Sequence, residues 1–208
     1  MLYFTLAALA AFPFLLNGFV LIVLALVGIS IWYHWHPGRL PQLGQVVFVH
    51  DGNTLALSPP DGGFLQIIRL ANIDAPEIAH GASQPGQPYS QLATAMLATE
   101  VLYKAVTLNC YKRDRDSRAV CDVQRNGQSV NRMLVASGVA WVDRKQSSYM
   151  HESSMLALEA TARAANLGLW AANYPPPVAP WLWRRRCWQE HQCASLSSNA
   201  HFTVHGEQ

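Results

Sequence analysis

Two stretches decide the fold: Val49-His-Asp-Gly-Asn-Thr54 and, further along the chain, Arg69-Leu-Ala-Asn-Ile-Asp-Ala-Pro-Glu77. Each follows an apolar run that is typical of a buried strand, residues 46–49 and 64–70. The Asp-Gly step of the first stretch is a turn signal, so the chain is expected to reverse there. Because both stretches lie at strand ends, we expect their polar side chains to converge on one site.

The rest of the chain predicts an α+β domain. Strands, a helix, further strands and then further helices follow one another without repeats, which indicates helices packed on a small antiparallel sheet. The predicted elements after the second stretch are a helix at Ser90–Ala105, strands at Val106–Cys110 and Ala119–Val123 around a charged turn at Lys112–Arg118, a helix that Asn131 caps and that ends at Gly138, and an amphipathic helix at Glu152–Asn166.

The oxygen atoms of the two stretches suit a metal ion. Asp51, Asn53, Asp74 and Glu77 carry oxygens of the kind that a hard cation such as Ca²⁺ takes. Simpler interpretations remain open, because an Asp-Gly step is often only a hairpin turn. The run from Asp74 to Glu77 could likewise begin a short helix, with its proline at the first position.

Two arginines add groups that suit a phosphate. Arg69 is flanked by apolar residues, so it would be costly to bury without an anion, and its planar fork fits a phosphate or a carboxylate. Arg118 ends the charged turn. Two arginines and a cation around one phosphate could hold the anion and stabilise the charge that develops during hydrolysis. The alternatives are a structural pair between Arg69 and Asp74 and a solvated hairpin tip at Lys112–Arg118.

Together these stretches resemble the staphylococcal nuclease (thermonuclease) family from about Gly44 to Trp183. The family signature Val-x-Asp-Gly-Asp-Thr matches residues 49–54 at every specified position except Asn53. The further resemblances are Arg69-Leu70 followed by Asp74-Ala-Pro-Glu77, a loose match of Asp114–Arg118 to Asp-(Lys/Arg)-Tyr-Gly-Arg, and two downstream helical segments at Val130–Trp141 and Ala164–Trp170.

The resemblance implies an OB-like five-stranded β-barrel with about three helices. It also implies metal-dependent hydrolysis of DNA or RNA phosphodiesters, with Ca²⁺ as the expected ion and another divalent cation as the alternative. Carried over by position, the catalytic residues would be Arg69 and Arg118, which grip the phosphate, and Glu77, which acts as general base or orients the attacking water. The metal residues would be Asp74, the carbonyl of Ala75, the nearby carboxylate of Asp51, and Asn53.

Two departures from the family pattern bear on activity. Asn53 replaces a metal-binding Asp, so the site would hold one fewer charged ligand. Asp116-Ser117 replaces Tyr-Gly, and serine lacks the freedom of glycine at positive φ, which could shift Arg118. These changes leave open a weak enzyme, an enzyme with another metal, or an inactive one. The runner-up function is therefore a pseudoenzyme that binds single-stranded nucleic acid or another phosphate ligand, and a third is a protein-interaction scaffold.

The N-terminal part predicts a membrane anchor. No charged residue occurs between Leu2 and Tyr33, a length that one tilted or kinked helix could use to cross a bilayer. We therefore expect a transmembrane helix in residues 1–36, a linker at 37–43, the nuclease-like domain at 44–183 and a flexible tail at 184–208. A cleaved signal peptide is the alternative. In the tail, the arginines at positions 184–186 are expected to be solvated.

The four cysteines fall into two local pairs, Cys110 with Cys121 and Cys187 with Cys193. Such pairs suggest disulfides and thus an oxidising compartment, so we expect the domain to lie outside the cytoplasm, in the periplasm or its equivalent. Arg39, which follows the apolar segment, favours the opposite orientation. The net charge of +2 excludes a globally basic nucleic-acid surface, so phosphate binding would depend on a few placed arginines.

Overall fold

The structure is a computed structural model, and it is described here for four parts of the chain. The chain divides into two compact units, Met1–Arg39 and Leu40–Gln208. Both N-terminal predictions, the anchor and most of the linker, lie outside the described residues, apart from one helical stretch (α1) at residues 20–27. None of the helices in the described part of the chain combines the length and apolar character that a bilayer crossing requires. The described residues are 20–27, 40–144, 154–171 and 176–194.

The second unit is built around a closed barrel, which confirms the predicted OB-like α+β architecture. Five strands follow one another in the order β3-β2-β1-β5-β6, and a parallel pairing between β3 and β6 closes the sheet. All other neighbours in the barrel are antiparallel. The barrel strands are β1 (Leu43–Asp51), β2 (Thr54–Ser58), β3 (Gln66–Leu70), β5 (Ala105–Arg113) and β6 (Ala119–Arg125).

Short strands and helices complete the unit. The strands β4 (Ile73–Asp74) and β8 (Trp141–Val142) pair with each other, and β7 (Gln128–Ser129) extends β6. The helices are α2 (Ser90–Val101), α3 (Val130–Ala136), α4 (Met155–Ala164) and the short α5 (Pro180–Trp183), which continues into a π-helical turn at Arg184–Gln189. The apolar core lies between the barrel and α2, α3 and α4, and includes Val46, Leu55, Ile68, Leu97, Leu134 and Met155.

Several predicted boundaries are wrong by a few residues. The helix predicted to reach Ala105 ends at Val101, because Leu102 is extended and Tyr103 has a left-handed φ of 59°. The chain then enters β5, whose first residue, Ala105, pairs with Gln45 of β1. The strand predicted at residues 64–70 begins at Gln66, and the helix predicted at 152–166 spans Met155–Ala164.

The predicted role of Asn131 as a helix cap is also wrong. Ser129 caps α3 by accepting a hydrogen bond from the backbone N–H of Arg132 at 3.2 Å. Asn131 is fully buried in the first turn of the helix. Its amide donates to the carbonyls of Ala71 and Cys121 at 2.9 and 3.1 Å and accepts from the N–H of Val123 at 3.0 Å. It thereby ties the segment after β3 to β6.

Candidate active site

The first stretch of the sequence forms the turn between β1 and β2. The side chain of Asp51 accepts a hydrogen bond from the backbone N–H of Asn53 at 2.8 Å. Gly52 makes a close approach possible, because a Cβ there would lie 2.6 Å from the Cβ of Ala75 and 2.7 Å from that of Ala93. Only glycine lets this turn pack against both the second stretch and α2. The two stretches that share the site are therefore in direct contact.

Asn53 lies between a cation and an anion. Its side-chain oxygen accepts a hydrogen bond from Nη1 of Arg69 at 3.0 Å, and its side-chain nitrogen donates to Oδ1 of Asp74 at 3.4 Å. Only 3% of the residue is exposed. An amide can make both contacts at once because it carries an acceptor and a donor. In this arrangement Asn53 bridges two side chains of the protein.

Arg69 and Asp74 form a buried ion pair. Nη2 of Arg69 lies 2.9 Å from Oδ1 of Asp74, and the Asp74 side chain is fully buried. Burial lowers the pKa of Arg69. The charge of Asp74 and its hydrogen bond raise that pKa by a larger amount in total, so the net shift is upward. The guanidinium therefore stays charged although it is almost completely enclosed. The structural pair that the sequence left open as an alternative is present.

Glu77 follows β4 in an irregular loop, and Gln87 fixes its backbone. The N–H of Glu77 donates to the side-chain oxygen of Gln87 at 3.2 Å, and the N–H of Gln87 donates to the carbonyl of Glu77 at 2.7 Å. The side-chain nitrogen of Gln87 donates to the carbonyl of Val178, beyond α4. Gln87 could not be identified from the sequence, because nothing in the local pattern distinguishes it from other polar loop residues.

Arg184 brings a second guanidinium to the same carboxylates. Its Nη2 donates to Oδ2 of Asp74 at 2.7 Å, and its Nη1 contacts Oδ1 of Asp74 at 3.3 Å and Oε1 of Glu77. The prediction that this arginine belongs to a solvated run is therefore wrong. The tryptophans at 181, 183 and 188, which flank the arginines, were a signal that this segment packs on the domain.

The surroundings of Glu77 shift its titration. Burial raises the pKa of Glu77, the nearby charge of Arg184 lowers it and that of Asp74 raises it, and the net direction is upward. A carboxyl group with a raised pKa is a common feature of general bases and acids in active sites. Structural ion-pair networks produce such shifts too, and Glu77 belongs to one through Arg184.

Arg118 lies at the tip of the β5–β6 hairpin and not in this network. Its Nε donates to Asp114 at 2.7 Å and its Nη2 to Asp116 at 2.9 Å. Ser117 adopts a left-handed φ of 63°, so the turn keeps a conformation that favours glycine. The parallel pairing of β3 with β6 aligns Ala119, the residue after Arg118, with Ile68, the residue before Arg69. The hairpin tip therefore borders the strand that carries Arg69.

The chemical types of the predicted metal residues suit a cation, but their arrangement in this structure does not. Both carboxylate oxygens of Asp74 accept from arginines, and the side-chain oxygen of Asn53 accepts from Arg69. The amide nitrogen of Asn53, which cannot bind a cation, faces Asp74. Within the described residues, no group of three or more His, Cys, Asp or Glu side chains is arranged to hold a metal ion.

Comparison with known proteins identifies the family. Residues 67–172 match the model of the staphylococcal nuclease homologue family. An "Uncharacterized endonuclease" of Escherichia coli is 36% identical over 144 residues, which cover 69% of this chain and 85% of that protein. A protein of the same name from Haemophilus influenzae is 32% identical, with 68% and 72% covered. "Staphylococcal-like nuclease CAN1" of Arabidopsis thaliana is 32% identical, with 57% and 33% covered. This chain belongs to the staphylococcal nuclease family.

Proposed function

We propose that this protein is a nuclease that hydrolyses phosphodiester bonds of DNA, RNA or both. The observation that carries the proposal is the convergence of Arg69, Asp74 and Glu77, residues of one family motif, around a single buried network. The names of the bacterial relatives, which call them endonucleases, support the same activity. Family membership alone would support the fold, whereas the retained side chains support the chemistry.

In the proposed reaction, water attacks phosphorus, the bond to the leaving oxygen breaks, and that oxygen takes up a proton from solvent water. Arg69 binds a non-bridging oxygen of the phosphate and stabilises the charge that accumulates there. Arg118 binds the same phosphate from the hairpin tip, after its ion pair with Asp116 has been replaced by a contact with the substrate. Glu77 accepts the proton of the attacking water or orients that water, a role for which its raised pKa is suitable. In this structure the carboxylates that would hold a metal ion are paired with arginines.

A divalent cation remains part of the proposal as a requirement to be tested. We expect Ca²⁺, or another divalent ion, to support the activity through Asp51, Asn53, Asp74 and the carbonyl of Ala75, after Arg69 and Arg184 have released the oxygens of Asn53 and Asp74. The oxygen chemistry of these groups favours a hard cation. Asn53 supplies no charge, so we expect the affinity for the ion to be lower than that of a site with an aspartate at this position.

We further propose that the domain is exported and attached to the cytoplasmic membrane by residues 1–36. Two disulfides, Cys110–Cys121 and Cys187–Cys193, support an oxidising compartment, since such bonds are rare in the cytosol. The uncharged run from Leu2 to Tyr33 supports the membrane attachment.

The experiment that tests the nuclease assignment is a cleavage assay with DNA and RNA in single- and double-stranded form. Calcium, magnesium and manganese are compared with chelator, and the length of the products separates internal from terminal cleavage. The fragment used should begin at Leu40 and not at Gly44, because Leu43 pairs with Thr107 and the carbonyl of Gln42 accepts from Leu108 at 2.7 Å. Cleavage under none of these conditions would contradict the proposal.

A pseudoenzyme is the second candidate, and one observation favours it. Glu77 and Asp74 are already paired with Arg184, and Asn53 links Arg69 to Asp74 without a metal. A protein of this kind would bind oligonucleotides without cleaving them. Fluorescence anisotropy with labelled single-stranded DNA and RNA, run beside the cleavage assay, distinguishes the two functions.

A further inference from the structure

Arg184, which reaches the site from the C-terminal part of the chain, lies on a segment that several contacts hold in place. The indole nitrogens of Trp183 and Trp188 both donate to the carbonyl of Pro85, at 3.2 and 2.9 Å. The ring of Trp188 also packs edge-on against His80, with centroids 5.5 Å apart. The segment from Pro180 to Gln189 is thus docked on the loop that follows Glu77.

A disulfide and buried side chains hold the same segment in shape. Cys187 forms a disulfide with Cys193 and is fully buried, and only 3% of Trp183 is exposed. Between these two anchors the chain makes the π-helical turn that begins at Arg184. The backbone on both sides of Arg184 is therefore restrained, which lowers the entropy lost when its long side chain is ordered.

The side chain of Arg184 lies between two carboxylates. Its fork binds both oxygens of Asp74 and one oxygen of Glu77, and its own side chain is 27% exposed. Burial lowers its pKa, and the charges of Asp74 and Glu77 raise it further, so the guanidinium remains charged. A positive charge that joins a fully buried carboxylate, that of Asp74, to a mostly buried one, that of Glu77, does electrostatically what a bound cation would do.

A cation and Arg184 cannot both occupy this place. Two guanidiniums, those of Arg69 and Arg184, already balance the charges of Asp74 and Glu77. A divalent ion added to the same oxygens would lie within a few ångströms of Arg184 in a poorly solvated site, where like charges repel strongly. The oxygens of Asp74 would also have to exchange their arginine hydrogen bonds for metal bonds.

We propose that Arg184 occupies the position of the divalent cation, so that cation binding and the docking of Arg184 exclude each other. The protein alone is in the closed form, with the arginine on Asp74 and Glu77. A divalent cation, with or without a nucleic acid, displaces the guanidinium. This proposal rests on the proposed function, because it concerns the same carboxylates, but it concerns metal binding and not cleavage.

The test measures the binding of Ca²⁺ and Mn²⁺ alone to the full-length protein by titration calorimetry. The variants are Arg184→Gln and, as a matched control, Arg185→Gln, which removes an exposed charge one residue away. If the closed form holds at least about nine molecules in ten, Arg184→Gln should bind the ion about tenfold or more tightly than the wild type. The affinity of Arg185→Gln for the ion should differ from that of the wild type by less than twofold.

The outcomes are decisive in both directions. Equal or weaker ion binding by Arg184→Gln, or no binding by either protein, would overturn the proposal. Arg184→Gln leaves Glu77 without its arginine and Asp74 with Arg69 alone, so the variant could unfold in chelator. In that case Arg184→Lys, which keeps a charge but not the fork, should bind the ion with intermediate affinity, and binding like that of the wild type would overturn the proposal.

Failure of the two proposals can be told apart. If Arg184→Gln binds the ion more tightly while neither protein cleaves nucleic acid, the exclusion is supported and the nuclease assignment fails. If the wild type cleaves nucleic acid and Arg184→Gln binds the ion no better, the nuclease assignment is supported and the exclusion fails. Calorimetry and cleavage are measured on the same preparations.

Discussion

The side-chain oxygen of Asn53 lies 3.0 Å from Nη1 of Arg69 and accepts a hydrogen bond from it. The residue that departs from the family motif therefore contacts the predicted phosphate-binding arginine. Its amide nitrogen then faces Asp74. An aspartate at this position could still accept from Arg69 but would turn an acceptor toward Asp74. With an aspartate at position 53, the contact with Asp74 would be repulsive, and a metal ion would relieve the repulsion. With Asn53 the contact with Asp74 is attractive and needs no metal.

We therefore expect Asn53→Asp to make the protein dependent on metal for stability. In chelator the new carboxylate faces Asp74 without a donor between them, which should lower the free energy of unfolding by about 1–3 kcal/mol. Saturating Ca²⁺ should raise the melting temperature of the variant more than that of the wild type, and its cleavage rate should rise. Thermal unfolding with and without Ca²⁺ measures the first effect. An equal or lower cleavage rate at saturating metal would show that the site is built around asparagine.

Removal of Arg69 or Glu77 should abolish most of the activity. We expect Arg69→Ala and Glu77→Ala each to lower kcat/KM by at least about 10²-fold, the scale for a lost charge-stabilising contact or a lost general base. The controls are Arg125→Ala and Glu100→Gln, which break an ion pair of the same type outside the network. Rates like the wild type in both site variants would remove the active-site assignment, whatever the controls show.

The pH dependence of cleavage should report Glu77. A general base acts in its deprotonated form, so the rate should rise with pH and level off above the pKa of Glu77, which burial places above the ordinary range for glutamate. Arg184 lowers that pKa only while it is docked on Glu77, and a bound cation is proposed to displace it, so Arg184→Gln should have the same rising limb as the wild type at saturating cation. Glu77→Gln should lack the rising limb, and the pH–rate profiles of the three proteins provide the measurement; an unchanged limb in Glu77→Gln would show that another group controls the rate.

Asp116 should restrain Arg118. This carboxylate is mostly exposed and pairs with Nη2 of Arg118, whereas Asp114 holds Nε and is fully buried. Asp116→Asn should cost less than about 1 kcal/mol of stability, the range for exposed ion pairs. If Arg118 must leave Asp116 to bind a phosphate, the variant should have a lower KM for oligonucleotides. Steady-state kinetics with a short labelled substrate provide the measurement, and an unchanged KM would place Arg118 outside substrate binding.

The disulfide between Cys110 and Cys121 provides a test of the proposed export. Their sulfur atoms are bonded across paired strands, so the predicted bridge is confirmed, as is Cys187–Cys193. Replacing both Cys110 and Cys121 by serine should cost roughly 2–3 kcal/mol, the value expected for a short loop. Thiol labelling of protein from its native cells should detect no free cysteine at these positions. Complete labelling without reductant would contradict the extracytoplasmic location.

The sequence by itself determined the α+β class, both cysteine pairs and the identity of the motif residues, and the resemblance of these motifs to a known family implied the barrel. These depend on features that are local in the chain, such as alternating strands, an Asp-Gly turn and short ordered signatures. Even so, the predicted ends of some helices and strands were wrong. At Tyr103, for example, a left-handed backbone conformation, which the sequence pattern does not indicate, follows the end of the helix. The role of Asn131 was missed too, because its partners, Ala71 and Cys121, lie on other elements.

Only the tertiary structure decided what neutralises the carboxylates of the site. Arg184 and Asp74 are 110 residues apart, and no spacing rule connects them. Their contact depends on the packing of Trp183 and Trp188 against the loop at Pro85, which sets where the backbone of the segment lies. A run of arginines predicts a solvated segment, because a charge without a partner is costly to bury. The cost is offset only when folding brings a buried partner of opposite charge within hydrogen-bond distance, and that is a property of the assembled fold.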